Sequence, residues 1–404
     1  MAGPLEGIRV LDLTWVLAGP FASMILNDLG AEVIKVERPP VGDVARLTAP
    51  LIDGESAYFF SINRGKKSIC LDLKSERGRD LFLRLVDVAD VVMENFTPST
   101  MDRLGLGYAT LQQRNPRLIY AATSGFGQTG PDRLRPALDV VVQGMGGVMS
   151  ITGEPGGPPI RPGLSLGDIA AGLYTAIGVL AALHERQGSG RGQMIDIAML
   201  DCQIAILENA FARYFATGEL PQPLGTRHPV ATPFQAFPTA DGWIVLAISW
   251  GVENQWELFC ATIGHPELID DPRFGLAHLR TQHHAELEPI LNHALRQRTT
   301  AQWLAEFDAI GLPCGPLNNI AQAAAHPQVQ ARRMLVEVEH PRIGSLTVAD
   351  TPVKLSRTPG GITGPPPALG EHTYEVLSTL LGLSREELDE LAAAAVIVGP
   401  APGG

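Results

Sequence analysis

Residues 7–37 read GIRVLDLTWVLAGPFASMILNDLGAEVIKVE, and this stretch decides the fold class. Residues 7–13 are β-rich, residues 21–29 carry apolar side chains at helical spacing behind Pro20, and residues 32–37 return to a strand pattern. Proline suits a helix's first turn, where its missing N–H has no helical partner to lose. The alternation continues with a strand at 67–73, a helix at 75–88, a strand at 91–94, a helix at 101–115 and a strand at 118–123. This predicts an α/β fold, a parallel sheet with helices on both faces. Ligands of such sheets gather at the carboxyl ends of the strands. The residues to inspect are therefore Trp15 and Val16, Glu37 and Arg38, Glu94 to Phe96, and Ser124 to Gly127.

At 404 residues the chain is long for one core, since a domain commonly takes about 100 to 200 residues. Composition shifts at 217–238 and again at 318–329. Between them lie a strand pair at 236–248 and helices at 253–263 and 300–310, which together read as a second domain. The tail has a β-rich part at 344–355 and a helix at 374–381.

With 45% hydrophobic and 18% charged residues the chain has the composition of a folded protein. Its net charge of −12 opposes general nucleic-acid binding, so an anionic ligand needs a local basic cluster. Cys70, Cys202, Cys260 and Cys314 are too scattered for zinc or a disulfide framework. The amino terminus shows no secretion pattern, and the most apolar segment, residues 169–183, is shorter than the roughly 18 to 20 residues that cross a bilayer. The expectation is a cytoplasmic protein in which 169–183 is a buried helix, with no membrane partner.

Phosphate-loop, HExxH and CxxC patterns do not occur, which removes the usual support for nucleoside triphosphate hydrolysis and zinc proteolysis. Residues 125–130 (GFGQTG) satisfy GxGxxG after a strand, but Pro131 and Pro136 prevent the long helix a dinucleotide site requires. A glycine-rich loop remains, letting backbone approach another ligand closely. Arg38, Arg64, Lys66, Lys67 and Lys74 form a basic group that reads either as solvated surface or, at strand ends, as a phosphate cradle. Asp168 opens an amphipathic helix. Alone it reads as an N-cap, yet a helix N-terminus also favours the ionised carboxylate that a nucleophile must be.

Ordered blocks over nearly the whole chain resemble the class III CoA-transferases, the family of formyl-CoA transferase and carnitine CoA-transferase. They are PLEGIRVLDLTWVLAGPFAS, GAEVIKVERP, ESAYFFSINRGKKSICLDLK, MENFTPSTMDRLGLGY, SGFGQTGP, LGDIAAG, SGRGQMIDIAMLD, GLPCGPLNNI and LGEHT. Within the family, PCGPLNNI and VEVEHPRIG are most similar to the succinyl-CoA:glutarate type. The resemblance implies a large Rossmann-like domain built from both chain ends (1–216 and 328–404), a smaller α+β domain (217–327) and an interlocked homodimer. It implies coenzyme A and acyl-CoA as substrates, with no permanently bound cofactor and no metal. Asp168 matches the nucleophile. Val16, Arg38, Leu71, Lys74, Asn95 and Phe96 match positions lining the CoA site, with Arg103 close to another, and Tyr58 matches an active-site tyrosine.

Departures bear on the substrate. Leu17 and Leu138 stand where formyl-transferring members carry glutamine and tyrosine, which implies an apolar acyl pocket. Ser249-Trp250-Gly251 replaces a four-glycine lid loop. Oxalate and formyl groups are therefore disfavoured, and C4 to C6 dicarboxylates favoured. A second carboxylate needs a fixed cation, and Arg227 with His228 in LGTRHPV can serve, or can form a surface turn before Pro229. Backbone N–H groups near Gly167 and Gly251 are candidate oxyanion donors. Two other readings stay open. A 2-methylacyl-CoA racemase needs a His-Asp pair, where this chain has Ala137-Leu138-Asp139. A non-catalytic CoA-binding subunit needs a different partner chain.

Overall fold

The computed structural model describes residues 3–248 and 254–399. Its main sheet contains β1 (Arg9–Asp12), β2 (Glu32–Glu37), β3 (Lys67–Leu71), β4 (Val91–Glu94), β5 (Ile119–Ser124), β6 (Met194–Ala198) and β7 (Ile397–Val398). The order is β7-β3-β2-β1-β4-β5-β6. β1 to β6 are parallel, whereas β7 pairs antiparallel with β3, Ile397 opposite Leu71. The order 3-2-1-4-5-6 reverses between β1 and β4, so the loops leaving those strands diverge and open a crevice.

Both faces of this sheet are covered, which is why most residues of its central strands are apolar on both sides. Successive strand residues point to opposite sides. Leu11, Ile34, Ile69 and Val92 join Phe82, Leu85, Leu377 and Leu388 in one cluster. Their neighbours Val10, Val33 and Val91 join Ile119, Leu26 and Val179 in another. The helices that matter for the site are α1 (Ala18–Asp28), α2 (Glu76–Val86), α3 (Asp139–Met145) and α4 (Leu166–Ser189). α1 and α4 pass very close, because a Cβ on Gly172 would lie 2.8 Å from the Ala18 carbonyl oxygen.

Several expectations need correction. The helix expected at 101–115 is two short helices, Thr100–Arg103 and Tyr108–Arg114, since Gly105 between them takes φ +73°. β6 (MIDIA) is a further strand that the sequence reading does not include. α4 extends beyond 169–183 at both ends, and it is long and apolar enough by length and composition to cross a membrane. Half of its most apolar window is buried, as in a core helix. The other side is open, with Leu173, Tyr174 and Ile177 exposed, so "buried" holds for one face only.

The described residues of Met1–Met149, Arg161–Glu219 and Gln330–Gly404 form one compact unit, and Ser150–Ile160 with Leu220–Val329 form a second. The second unit has an antiparallel sheet of Phe234–Pro238, Trp243–Ala247 and Cys314–Pro316, with Trp243–Ala247 in the centre. Phe237, Ile244, Leu246, Phe259, Trp303 and Phe307 fill its core. Helix Thr300–Ala309 starts where a capping box predicts: Thr299 and Gln302 each satisfy the other's backbone N–H.

Candidate active site

A cavity of about 650 Å³ opens at the carboxyl ends of β1 to β4. Trp15 and Phe96 meet edge to face within its wall, ring centres 5.5 Å apart, and the Arg38 guanidinium lies 5.3 Å from the Trp15 ring centre. Arg38 and Lys74 line the cavity without a carboxylate partner among the described residues. Two such cations at the rim of a largely apolar cavity suit a ligand that carries phosphates on an organic body.

The loop carrying Trp15 is held under strain. Val16 takes φ +65°, a left-handed conformation that costs a β-branched residue energy. Asn95 secures it from one side, accepting the Trp15 N–H at 2.9 Å and donating to the Trp15 carbonyl at 2.8 Å. Asp43 accepts the Val16 N–H at 3.1 Å from the other.

Buried charges lie beneath this loop. Lys35 is 2.9 Å from Asp43 and donates to the Thr14 carbonyl at 2.6 Å. Lys66 donates to Asp12, Ser23, Asn63 and the Pro20 carbonyl. Burial pushes the Lys66 ammonium down to about 8 against the pull of Asp12. Burial alone would raise the Asp12 carboxyl, but Lys66, Lys35 and hydrogen bonds from Ser23 and Thr14 hold it far below the usual range. The basic group of the sequence is thereby divided. Lys66 is buried, Arg64 is buried against Asp28 at 2.7 Å, and Lys67 bridges Glu32 and Glu375. Arg64 and Lys66 are thus neither solvated surface nor phosphate cradle, Lys67 is a partly exposed surface ion pair, and only Arg38 and Lys74 of this group face the cavity.

Asp168 lies in the first turn of α4, where Ser165 is the N-cap residue, so the capping role does not fall to Asp168. Its carboxyl has no hydrogen-bond partner among the described residues. Burial, and then the charge of Asp139, raise it to about 7, with Arg161 opposing. The helix N-terminus favours the ionised form, but desolvation and a like charge outweigh the helix dipole. Asp139 is the unanticipated member of this group. Its Oδ1 accepts the Gly167 N–H at 2.8 Å, its Oδ2 accepts from Arg161 at 2.9 Å, and Gln143 donates to both oxygens. The Gly167 N–H is therefore already engaged and is not an oxyanion donor in this arrangement. A Cβ at Gly167 would lie 2.7 Å from Val142, which explains the glycine. Tyr58, Leu17 and Phe21 pack with Ile169, the residue after Asp168. Burial and then Asp168 push the Tyr58 hydroxyl up to about 12.

A family model described as "CoA-transferase family III" matches residues 5–373. The chain belongs to CoA-transferase family III. It is 40% identical to the succinyl-CoA:glutarate CoA-transferase of Homo sapiens over 98% of this chain and 90% of that one. It is 44% identical to the acetyl-CoA:oxalate CoA-transferase of Acetobacter aceti over 88% of this chain and 90% of that one. A solved structure, a CAIB/BAIF family protein from Brucella suis, superposes with a TM-score of 0.84 at 38% identity, covering 94% of this chain and all of that one. The protein is thus an enzyme, a class III CoA-transferase with a mixed α/β fold, and its substrates are CoA thioesters and carboxylic acids.

Within this CoA-transferase the predicted CoA-site residues divide by position. Arg38, Leu71, Lys74 and Phe96 line the cavity. Val16 and Asn95 do not, and belong to the loop and its brace. Arg103 is also outside, donating to Thr100, itself a lining residue, at 2.9 Å. The apolar wall expected from Leu17 and Leu138 does not form. Leu17 is buried beside Tyr58, whereas Leu138 is 70% exposed, because it is the extended residue capping α3. Arg227 and His228 lie in the second unit, where the Arg227 N–H bonds the Leu224 carbonyl and the His228 N–H bonds Phe234 at 3.0 Å, the geometry of a turn. Ser249, Trp250 and Gly251, the expected lid, lie outside the described residues. Among the described residues no group of three or more His, Cys, Asp or Glu is placed to hold a metal.

The signal for Asp139 was present in the sequence. An aspartate followed by an apolar run at helical spacing, shortly before LGD, can be read as a helix start, but not as a carboxylate aimed at the next helix.

Proposed function

We propose that the enzyme transfers CoA from succinyl-CoA, or a similar donor, to a C4 to C6 dicarboxylate through covalent intermediates on Asp168. One observation carries this: in the first turn of α4, next to packed apolar side chains, is a half-buried carboxylate with no hydrogen-bond partner among the described residues. Such a group is less solvated than a surface carboxylate and correspondingly more ready to attack a carbonyl.

One Asp168 oxygen adds to the thioester carbonyl and the C–S bond breaks, giving a mixed anhydride and CoA thiolate. The thiolate adds to the aspartyl carbonyl, the donor acid leaves as its carboxylate, and an aspartyl-CoA thioester remains. The acceptor carboxylate attacks that thioester, re-forming an anhydride and thiolate. Attack of the thiolate on the acyl carbonyl then releases the new acyl-CoA and the free Asp168 carboxylate. No proton is gained or lost over the cycle. Arg38 and Lys74 hold CoA phosphates through this exchange, which keeps the departing thiolate close enough to return.

The dicarboxylate reading draws on the relative named for succinyl-CoA and glutarate. We further place the enzyme in the cytoplasm as a homodimer without a resident cofactor. The four free cysteines suit a reducing compartment, and the open face of α4 gives a second subunit apolar surface to cover.

The test incubates the purified chain with succinyl-CoA and a panel of acids, glutarate, malate, itaconate, mesaconate, oxalate, formate, carnitine and cinnamate, and reads new thioesters by mass spectrometry. Thioesters of the C4 to C6 dicarboxylates are expected to dominate. Dominance of oxalate, carnitine or cinnamate would replace the acceptor and leave the Asp168 chemistry standing.

A further inference from the structure

We propose that Arg161 is the specificity-determining cation for the distal carboxylate of the substrate. This rests on the dicarboxylate reading and names the residue that enforces it.

Three observations place Arg161. First, it is one carboxylate away from the nucleophile's backbone: Asp139 Oδ2 accepts from Arg161 Nη2 at 2.9 Å and Nε at 3.2 Å, while Asp139 Oδ1 accepts the N–H of Gly167, the residue before Asp168. Second, the guanidinium is fixed. Besides Asp139, its Nη2 donates to Ser165 Oγ at 3.1 Å, so Nε and Nη2 are both committed. Third, Nη1 has no partner among the described residues, and the side chain is 39% exposed, whereas Asp139 is 10% exposed. The pair therefore presents its cationic end outward, and a carboxylate that binds Nη1 does so without displacing Asp139.

Its field reaches the reacting group, since Arg161 opposes the upward shift of Asp168. Ile169, next to Asp168, belongs with the half-buried Phe21 and Tyr58 to one apolar cluster, and their exposed surface suits a methylene chain. Arginine is apt for this task because a planar fork, already oriented by one carboxylate, loses little freedom on taking a second. A monocarboxylate of the same length leaves Nη1 unanswered. A dicarboxylate gains a charge-assisted contact there.

In a ping-pong transfer kcat/KM for the acceptor reports the acceptor half-reaction alone, so the test fixes succinyl-CoA as donor and compares glutarate with valerate. The wild-type ratio of kcat/KM, glutarate over valerate, tests the dicarboxylate reading by itself. Arg161→Gln is then expected to lower that ratio by about 10-fold or more, with Arg161→Lys recovering part of it. Valerate turnover retained by Arg161→Gln shows that the variant is folded. Equal losses on both acids would reduce Arg161 to a support for Asp139 and overturn the proposal. So would an unchanged ratio in Arg161→Gln alongside a lowered one in Arg227→Ala.

Discussion

Two carboxylates in the same unit, Asp12 fully buried and Asp168 half-buried, have been treated in opposite ways. Asp12, at the end of β1, is met by Lys66, Lys35, Ser23 and Thr14, and its carboxyl is held far below the ordinary range. Asp168, at the start of α4, is met by none of these, and burial with Asp139 lifts it to about 7. The first arrangement satisfies a charge so that the strained loop carrying Trp15 and Val16 keeps its shape. The second leaves a charge unsatisfied, which costs stability and leaves the carboxylate reactive. Under the proposed mechanism, structure and chemistry fall to different aspartates.

The contrast predicts different failures. Asp168→Asn should lower transfer by at least about 10³-fold while CoA still binds, because the amide cannot form the anhydride. Near-normal turnover in that variant would remove Asp168 from the chemistry. Asp12→Ala should instead act on folding, destabilising the chain by about 3 to 5 kcal/mol in urea unfolding, since Lys66 is left buried without its partner. If removing Lys66 as well, by Lys66→Met, restores none of that loss, the network beneath the loop has been misjudged.

Smaller effects belong to the cavity rim. Arg38→Ala and Lys74→Ala should each weaken CoA binding by about 1.5 to 3 kcal/mol, roughly 10- to 150-fold, measured by titration calorimetry. Unchanged affinity in both variants would move the phosphates elsewhere.

The raised Asp168 also has a pH signature. Transfer needs the ionised carboxylate, so kcat/KM for the donor should fall as pH drops below about 7. Removing the like charge with Asp139→Asn should move that midpoint downward. Stability carries the reverse sign. Between the ordinary aspartate range and about 7 the folded chain keeps a proton that the unfolded chain releases, so stability declines as pH rises through that window. Asp168→Asn should therefore melt a few degrees above wild type at pH 8, with the gap closing near pH 4. An identical gap at both values would mean that ionisation of Asp168 is not its cause.

The parallel sheet was legible because β1, α1 and β2 each follow a clean period, and because strands covered on both faces need only apolar residues. The cavity's position was legible too, since topology places ligands at strand ends whatever the side chains are. Lys35, in EVIKVE, could not be read, because nothing local says that a lysine in a strand will be buried against Asp43. Arg64 and Lys66 look like members of one basic group for the same reason: their partners Asp28 and Asp12 are 36 and 54 residues away. The Gly167 N–H was assigned to an oxyanion because its real acceptor, Asp139, is 28 residues earlier. Local patterns carried the elements, and long-range pairing of charges stayed hidden.

The most direct test of the account is to catch the intermediate on Asp168. The enzyme is incubated with succinyl-CoA without acceptor, quenched with hydroxylamine, digested and examined by peptide mass spectrometry. An aspartyl anhydride or aspartyl-CoA thioester reacts with hydroxylamine to leave a hydroxamate, and that mark is expected on Asp168 and absent without succinyl-CoA. A hydroxamate on Asp139 or elsewhere, or none while transfer proceeds at its normal rate, would contradict the assignment of the nucleophile.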